Sequence, residues 1–167
     1  MLVSATRQEH AVDVNIGLKQ GERKAIAEAL SKVLADTYML YLKTHGYHWN
    51  VTGPHFAALH VLFEGQYTEL HDAADLIAER IRALGEYAPG NYRTYAKLTS
   101  IQESGDNIPP AMEMVRDLAE GNEVLSKSCR DAFKVAEKAD DQGTMDLLIQ
   151  RMQASEKAAW MLRSHLG

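Results

Sequence analysis

Residues 47–80 read "YHWNVTGPHFAALHVLFEGQYTELHDAADLIAER". Gly53 and Pro54 interrupt the stretch, with a histidine on either side and apolar residues at helical spacing before and after. A glycine–proline pair ends one helix, and a proline in the first turn opens the next. The stretch is therefore the tail of one long helix, a break, and most of a second.

Working outward, Ile26, Leu30, Val33, Thr37, Leu40, Thr44 and His48 step by three or four and define one face of a first helix starting near Glu22. Leu59, Phe63, Leu70, Ala74, Ile77, Ile81 and Leu84 form the apolar stripe of the second, read from about Pro54 to Leu84 and stopped by Gly85. A third begins at "NIPPAMEMV", where Pro109 and Pro110 suit a first turn, and ends near Ala139. A fourth runs from Thr144, read as its N-cap, to about His165. The roughly twenty residues between the second and third are too many for a plain turn, and "YRTYAKLTS" among them is read as a short helix. Four long helices with one long crossover define an all-α fold, a ferritin-like four-helix bundle with a short extra helix in that crossover. The bundle is assigned to residues 21–167 and an N-terminal arm to residues 1–20.

The chain has 167 residues, 46% hydrophobic and 25% charged, which suits one soluble domain with a sizeable core. Its net charge of −5 argues against indiscriminate binding to nucleic acid or anionic membrane. The single cysteine, Cys129, excludes an intramolecular disulfide and a cysteine-rich zinc site. No signal-like or membrane-spanning run is present, so a cytoplasmic location is expected, with nucleoid association as its variant.

His60, Glu64, Asp75 and Glu79 follow one another by four, eleven and four, which keeps them on a face of the second helix away from its apolar stripe. The competing reading is a solvated face, with Asp75 and Glu79 supporting Arg80 and Arg82 nearby. Imidazole with carboxylates suits a divalent transition metal, and carboxylates stabilise the ferric state of iron. Ferritin-like oxidases place a di-iron site inside one bundle with paired Glu-x-x-His motifs; no Glu-x-x-His occurs anywhere in this chain. A metal site must then lie elsewhere. Residues 60 and 75 on one straight helix are about 22 Å apart, whereas ligand atoms sit about 2 Å from their ion. One helix cannot close such a site. Two antiparallel copies, related by a two-fold axis near residues 69–70, can.

The run "HGYHWNVTGPHFAALHVLFEGQYTELHDAADLIAERIRALG" resembles the signature of the Dps mini-ferritins, the DNA-protection-during-starvation family. The pattern is His-Trp-Asn, then Gly and Phe, a second His, an acid four residues on, and Asp-x-x-x-Glu-Arg. The likeness extends through "EKADDQGTMDLL" to "AWMLRSHL" near the end. It implies a hollow shell of twelve subunits that oxidises Fe(II), preferentially with hydrogen peroxide, and stores the ferric mineral inside. It implies His48, His60 and Glu64 as ligands from one subunit, with Asp75 and Glu79 from its two-fold partner, and two irons per shared site. Glu64 stands where the family uses either acid. Trp49 stands where an aromatic ring sits near the iron and intercepts oxidising equivalents, or simply packs. His45 departs from the lysine often found there and is open to a hydrogen-bonding, basic or ligating role. His71 is expected at the two-fold interface and His55 at the surface. Asp140, Asp141 and Asp146 are read either as a solvated turn or as carboxylates of a three-fold pore that draws iron inward.

The alternative function is a DNA-condensing nucleoid protein with ferroxidase chemistry secondary, and a further one is a helical scaffold without chemistry. Members that condense DNA commonly use a lysine-rich tail. Residues 1–20 carry only Arg7 and Lys19, offset by Glu9 and Asp13, too little charge for substantial counterion release.

Overall fold

The apolar stripes of the first two helices are the faces they bury. All seven positions from Ile26 to His48 are inaccessible or nearly so, as are the seven from Leu59 to Leu84. Full burial of Leu59, Phe63 or Ile77 is worth about 1.5–3 kcal/mol each relative to exposure. The computed structural model describes residues 14–167. Its helices are α1 (Gln20–Asn50), α2 (Phe56–Ala83), α3 (Tyr92–Leu98), α4 (Ala111–Lys138) and α5 (Gln142–Arg163), with no strand among the described residues. Of the expected arm, residues 1–13 lie outside the described residues, and residues 14–19 precede α1. No helix among the described residues is long and apolar enough to cross a membrane.

Short turns join α1 to α2 and α4 to α5, so each pair is an antiparallel hairpin, and α1 packs on α4 between them. At that contact Gly121 lets the helices approach: a Cβ there would lie 2.7 Å from Leu40 Cδ1. The α2–α5 seam is packed sparsely and carries polar clamps instead. Glu69 of α2 receives both terminal nitrogens of the buried Arg151 of α5.

The crossover returns along α1. The chain leaves α2 beside the start of α1, where Arg23 Nε donates to Leu84 O (3.0 Å). Asp36, fully buried, then accepts from Thr99 Oγ1 (2.8 Å), Ser100 N (2.5 Å) and, across the core, Ser128 Oγ of α4 (2.6 Å). Further on, Ser104 reaches Tyr47 Oη near the end of α1. Hence α4 starts at the end of the bundle where α2 starts, and the long connection is what makes α2 and α4 run the same way.

Two helix starts differ from the sequence reading. Pro54 lies in the turn, and α2 begins at Phe56. The N-cap of α5 is Asp141 rather than Thr144: its carboxylate accepts from Thr144 N (3.1 Å), the usual bond from an N-cap side chain to the third residue of its helix.

Candidate metal centre

His48 lies in the last turn of α1 and His60 in the first turns of α2, and the tight connection folds them together. Their rings stack at 3.8 Å between centroids, 21° from parallel. Each is also bonded to the other's backbone: His48 Nδ1 to His60 O at 2.8 Å, and His60 Nδ1 to His48 O at 2.9 Å. A carbonyl only accepts, so each Nδ1 carries a hydrogen, and in the neutral ring each Nε2 keeps its lone pair. His48 O is one of the last carbonyls of α1, which have no partner within the helix, so His60 satisfies an otherwise orphaned acceptor. Backbone hydrogen bonding of one ring nitrogen is the arrangement that orients a metal-binding histidine through the other.

Glu64, Asp75 and Glu79 are all exposed along α2, and none of them takes part in an ion pair among the described residues. The arginines that a plain charged face would offer them are engaged elsewhere. Arg80 pairs with Asp141 (2.7 Å) and donates through Nε to Thr144 Oγ1 (2.9 Å). Arg82 donates to Glu86 O and lies over the ring of Tyr87. The alternative in which Asp75 and Glu79 support these arginines therefore has no counterpart in the structure. Within one chain, no three His, Cys, Asp or Glu side chains among the described residues are grouped closely enough to hold an ion.

Aromatic rings surround the histidine pair. Tyr67 of α2 stands edge-on to His48 (5.1 Å) and stacks on His45 (4.0 Å), while the Trp49 ring, 62% exposed, lies tilted against His45 with centroids 4.1 Å apart. His45 Nδ1 is 3.3 Å from Tyr41 Oη. Burial holds the His45 imidazole below its ordinary pKa, and the neighbouring His48 lowers it further. His71 faces Tyr41 at 5.6 Å and is exposed, as is His55. Tyr41 and Tyr67 were missed in the sequence. For Tyr41 the signal was spacing, since Tyr41, His45 and Trp49 recur every four residues along α1; Tyr67, on α2, lies outside that pattern.

The acids between α4 and α5 have local tasks. Asp140 has φ +56°, and the bonds Asp140 N to Glu137 O and Asp141 N to Ala136 O close α4 in the Schellman pattern, with Asp140 where glycine is usual. Asp141 is buried; desolvation pushes its carboxyl up, but the hydrogen bonds from Thr144 and Arg80 outweigh this and hold it below the ordinary Asp value. Asp146 is exposed and bonded to Gln150 Nε2 (2.8 Å).

A fold of this kind has known counterparts. The family model described as a ferritin-like domain matches residues 27–167. Among solved structures, DpsC from Streptomyces coelicolor superposes with a TM-score of 0.92 at 32% identity, covering 97% of this chain and 96% of that one. A Dps protein from Vibrio cholerae O1, described as a member of a broad superfamily of ferritin-like diiron-carboxylate proteins, superposes at 0.87 with 34% identity, covering 94% and 99%. DNA protection during starvation protein 2 of Bacillus anthracis is 38% identical over 86% of this chain and 98% of its own length. The chain belongs to the ferritin-like proteins and, among them, to the Dps mini-ferritins.

Proposed function

We propose that this chain is the subunit of an iron-storing, protective mini-ferritin that oxidises Fe(II) at sites shared by two subunits. The observation that carries the reading is the reciprocal His48–His60 pair, with both Nε2 atoms left free, beside a row of unpaired carboxylates on the same helix. Fe(II) is the substrate. His48, His60 and Glu64 bind it from one subunit, while Asp75 and Glu79 of the second complete the site, two irons to each. Positions 60 and 79, and likewise 64 and 75, are equidistant from the midpoint between residues 69 and 70. One two-fold axis there pairs both sets at once, giving two equivalent sites per dimer. Carboxylates gathered there favour Fe(III) over Fe(II), which makes the oxidation downhill.

Twelve such subunits enclose the ferric mineral. Asp146 and Asp140, arranged around a three-fold axis, draw Fe(II) inward, and Asp141, committed to Arg80 and Thr144, frames them. Hydrogen peroxide is the preferred oxidant, so that iron and peroxide are removed together. The test is stopped-flow absorbance of the purified protein at matched Fe(II) loading, with peroxide and with dioxygen in turn. Faster ferric formation with peroxide is expected; equal or reversed rates remove it as the main oxidant, and no formation with either removes the ferroxidase reading.

A further inference from the structure

Three buried side-chain atoms find no hydrogen-bond partner among the described residues: Gln66 Oε1, Arg151 Nε and Ser155 Oγ. All lie in the seam between α2 and α5. Gln66 reaches Ala158 O through Nε2 (3.5 Å), and Arg151, one turn before Ser155, holds Glu69. Buried polar atoms are nearly always paired, so orphans gathered in one seam call for a partner from outside the chain. Beside them a groove of about 680 Å³ opens between the helices, a size that suits a small organic molecule. Val61, Leu62, Leu70, Ala158 and Met161 give it apolar walls. Asn122 of α4, 3% exposed, lines its floor. The Asn122 Nδ2 donates to Leu118 O (2.8 Å), so the atom it has left to offer is the acceptor Oδ1.

Gly65 points the same way. A glycine inside a long helix costs stability relative to alanine, and no packing asks for one here: a Cβ at Gly65 would meet nothing within 4 Å. Its missing side chain instead widens the groove that it lines. The groove side of α2 lies roughly a third of a turn round the helix from Glu64, Asp75 and Glu79, so the two-fold contact of the shared site does not need it.

We propose that this groove binds a small neutral hydrophobe carrying a hydroxyl, of the class of an alkylphenol. Its apolar body lies between α2 and α5, and its O–H donates to Gln66 Oε1, with Asn122 Oδ1 as the second acceptor. A hydroxyl both donates and accepts, which matches an orphaned acceptor set among orphaned donors. A carboxylate would turn its lone pairs on the two amide oxygens and on Glu69. Lys157 and His165, which would favour an anion, are exposed at the rim. Binding there does not depend on iron.

The experiment is isothermal titration calorimetry on the iron-free assembled protein with 4-propylphenol, its methyl ether 4-propylanisole, and 4-propylbenzoate. The phenol should bind saturably at a single site per subunit. The ether, which cannot donate, should bind about tenfold more weakly, and the benzoate more weakly than the phenol. Gln66→Met keeps the length of the side chain and removes the acceptor, so it should bring the phenol down to the level of the ether. Gly65→Leu puts a side chain into the groove without backbone strain and should abolish binding of both. If that variant does not assemble, Gln66→Met carries the test by itself. No binding of the phenol, equal affinity for phenol and ether, tighter binding of the benzoate, or affinities unchanged in the variants overturns the site.

Discussion

At the scale of single residues, side chains that look interchangeable in the sequence have separate tasks. Asp140, Asp141 and Asp146 read as one acidic group, yet the first closes α4, the second caps α5 and holds Arg80, and only the third is free of the backbone. Asp141→Asn keeps a capping oxygen and loses the ion pair, and should cost about 1–3 kcal/mol near neutral pH. The wild-type carboxyl has a lowered pKa in the folded protein, so its contribution is complete above the unfolded value near 4 and is lost as pH falls through the folded one. Thermal melting of the variant should therefore depend less on pH than the wild type below about pH 4; parallel acid limbs would refute the assignment. Asp140→Gly removes a left-handed strain of about 1 kcal/mol and should raise the melting temperature. If Asp140 also draws iron inward, the same variant takes up Fe(II) more slowly, so stability and uptake move in opposite directions. The histidines were legible as candidates because their types and spacing are unusual. Their mutual backbone bonds were not, since nothing local to either residue specifies a partner twelve positions away.

At the scale of elements, the helices follow from apolar periodicity and Gly–Pro punctuation, and all four long ones are present, with the starts of α2 and α5 two or three residues from where the sequence puts them. The short α3 was legible too, within one or two residues. The crossover's attachment was not: Asp36 sits inside an apolar stretch of α1 and carries no sign that it holds Thr99, Ser100 and Ser128. Asp36→Ala leaves the buried Ser128 hydroxyl without its acceptor and removes both bonds to the crossover, and should cost roughly 3 kcal/mol. Limited proteolysis should then cut first between residues 85 and 110. A variant as resistant as wild type would show that the crossover's remaining contacts with α1 hold it without Asp36. Arg80 marks a similar limit. The sequence offers it as a neighbour for Glu79, whereas the fold turns it across the seam to α5, where Gly143 leaves room for the guanidinium.

At the scale of the whole molecule, an acidic chain with a nearly uncharged arm should bind DNA little at physiological salt. Mobility-shift titrations with chelator present should give complexes only at low salt, weakening steeply as contacts are screened; retention well above 0.1 M salt would contradict this. The sequence carried the family through one signature of residue types and spacings, but how subunits meet lies in surface shape, which no periodicity encodes. The shared site is the central claim, and co-assembly of two inactive variants tests it most directly. His60→Ala removes one half of a site and Glu79→Ala the other, and each alone should abolish most Fe(II) oxidation. In shells co-expressed from both, random pairing joins an intact histidine half to an intact acidic half in roughly a quarter of sites. Stopped-flow oxidation by the mixed shells should recover about that fraction of the wild-type fast phase. Mixed shells that assemble and recover none would place the site within one chain and contradict the account.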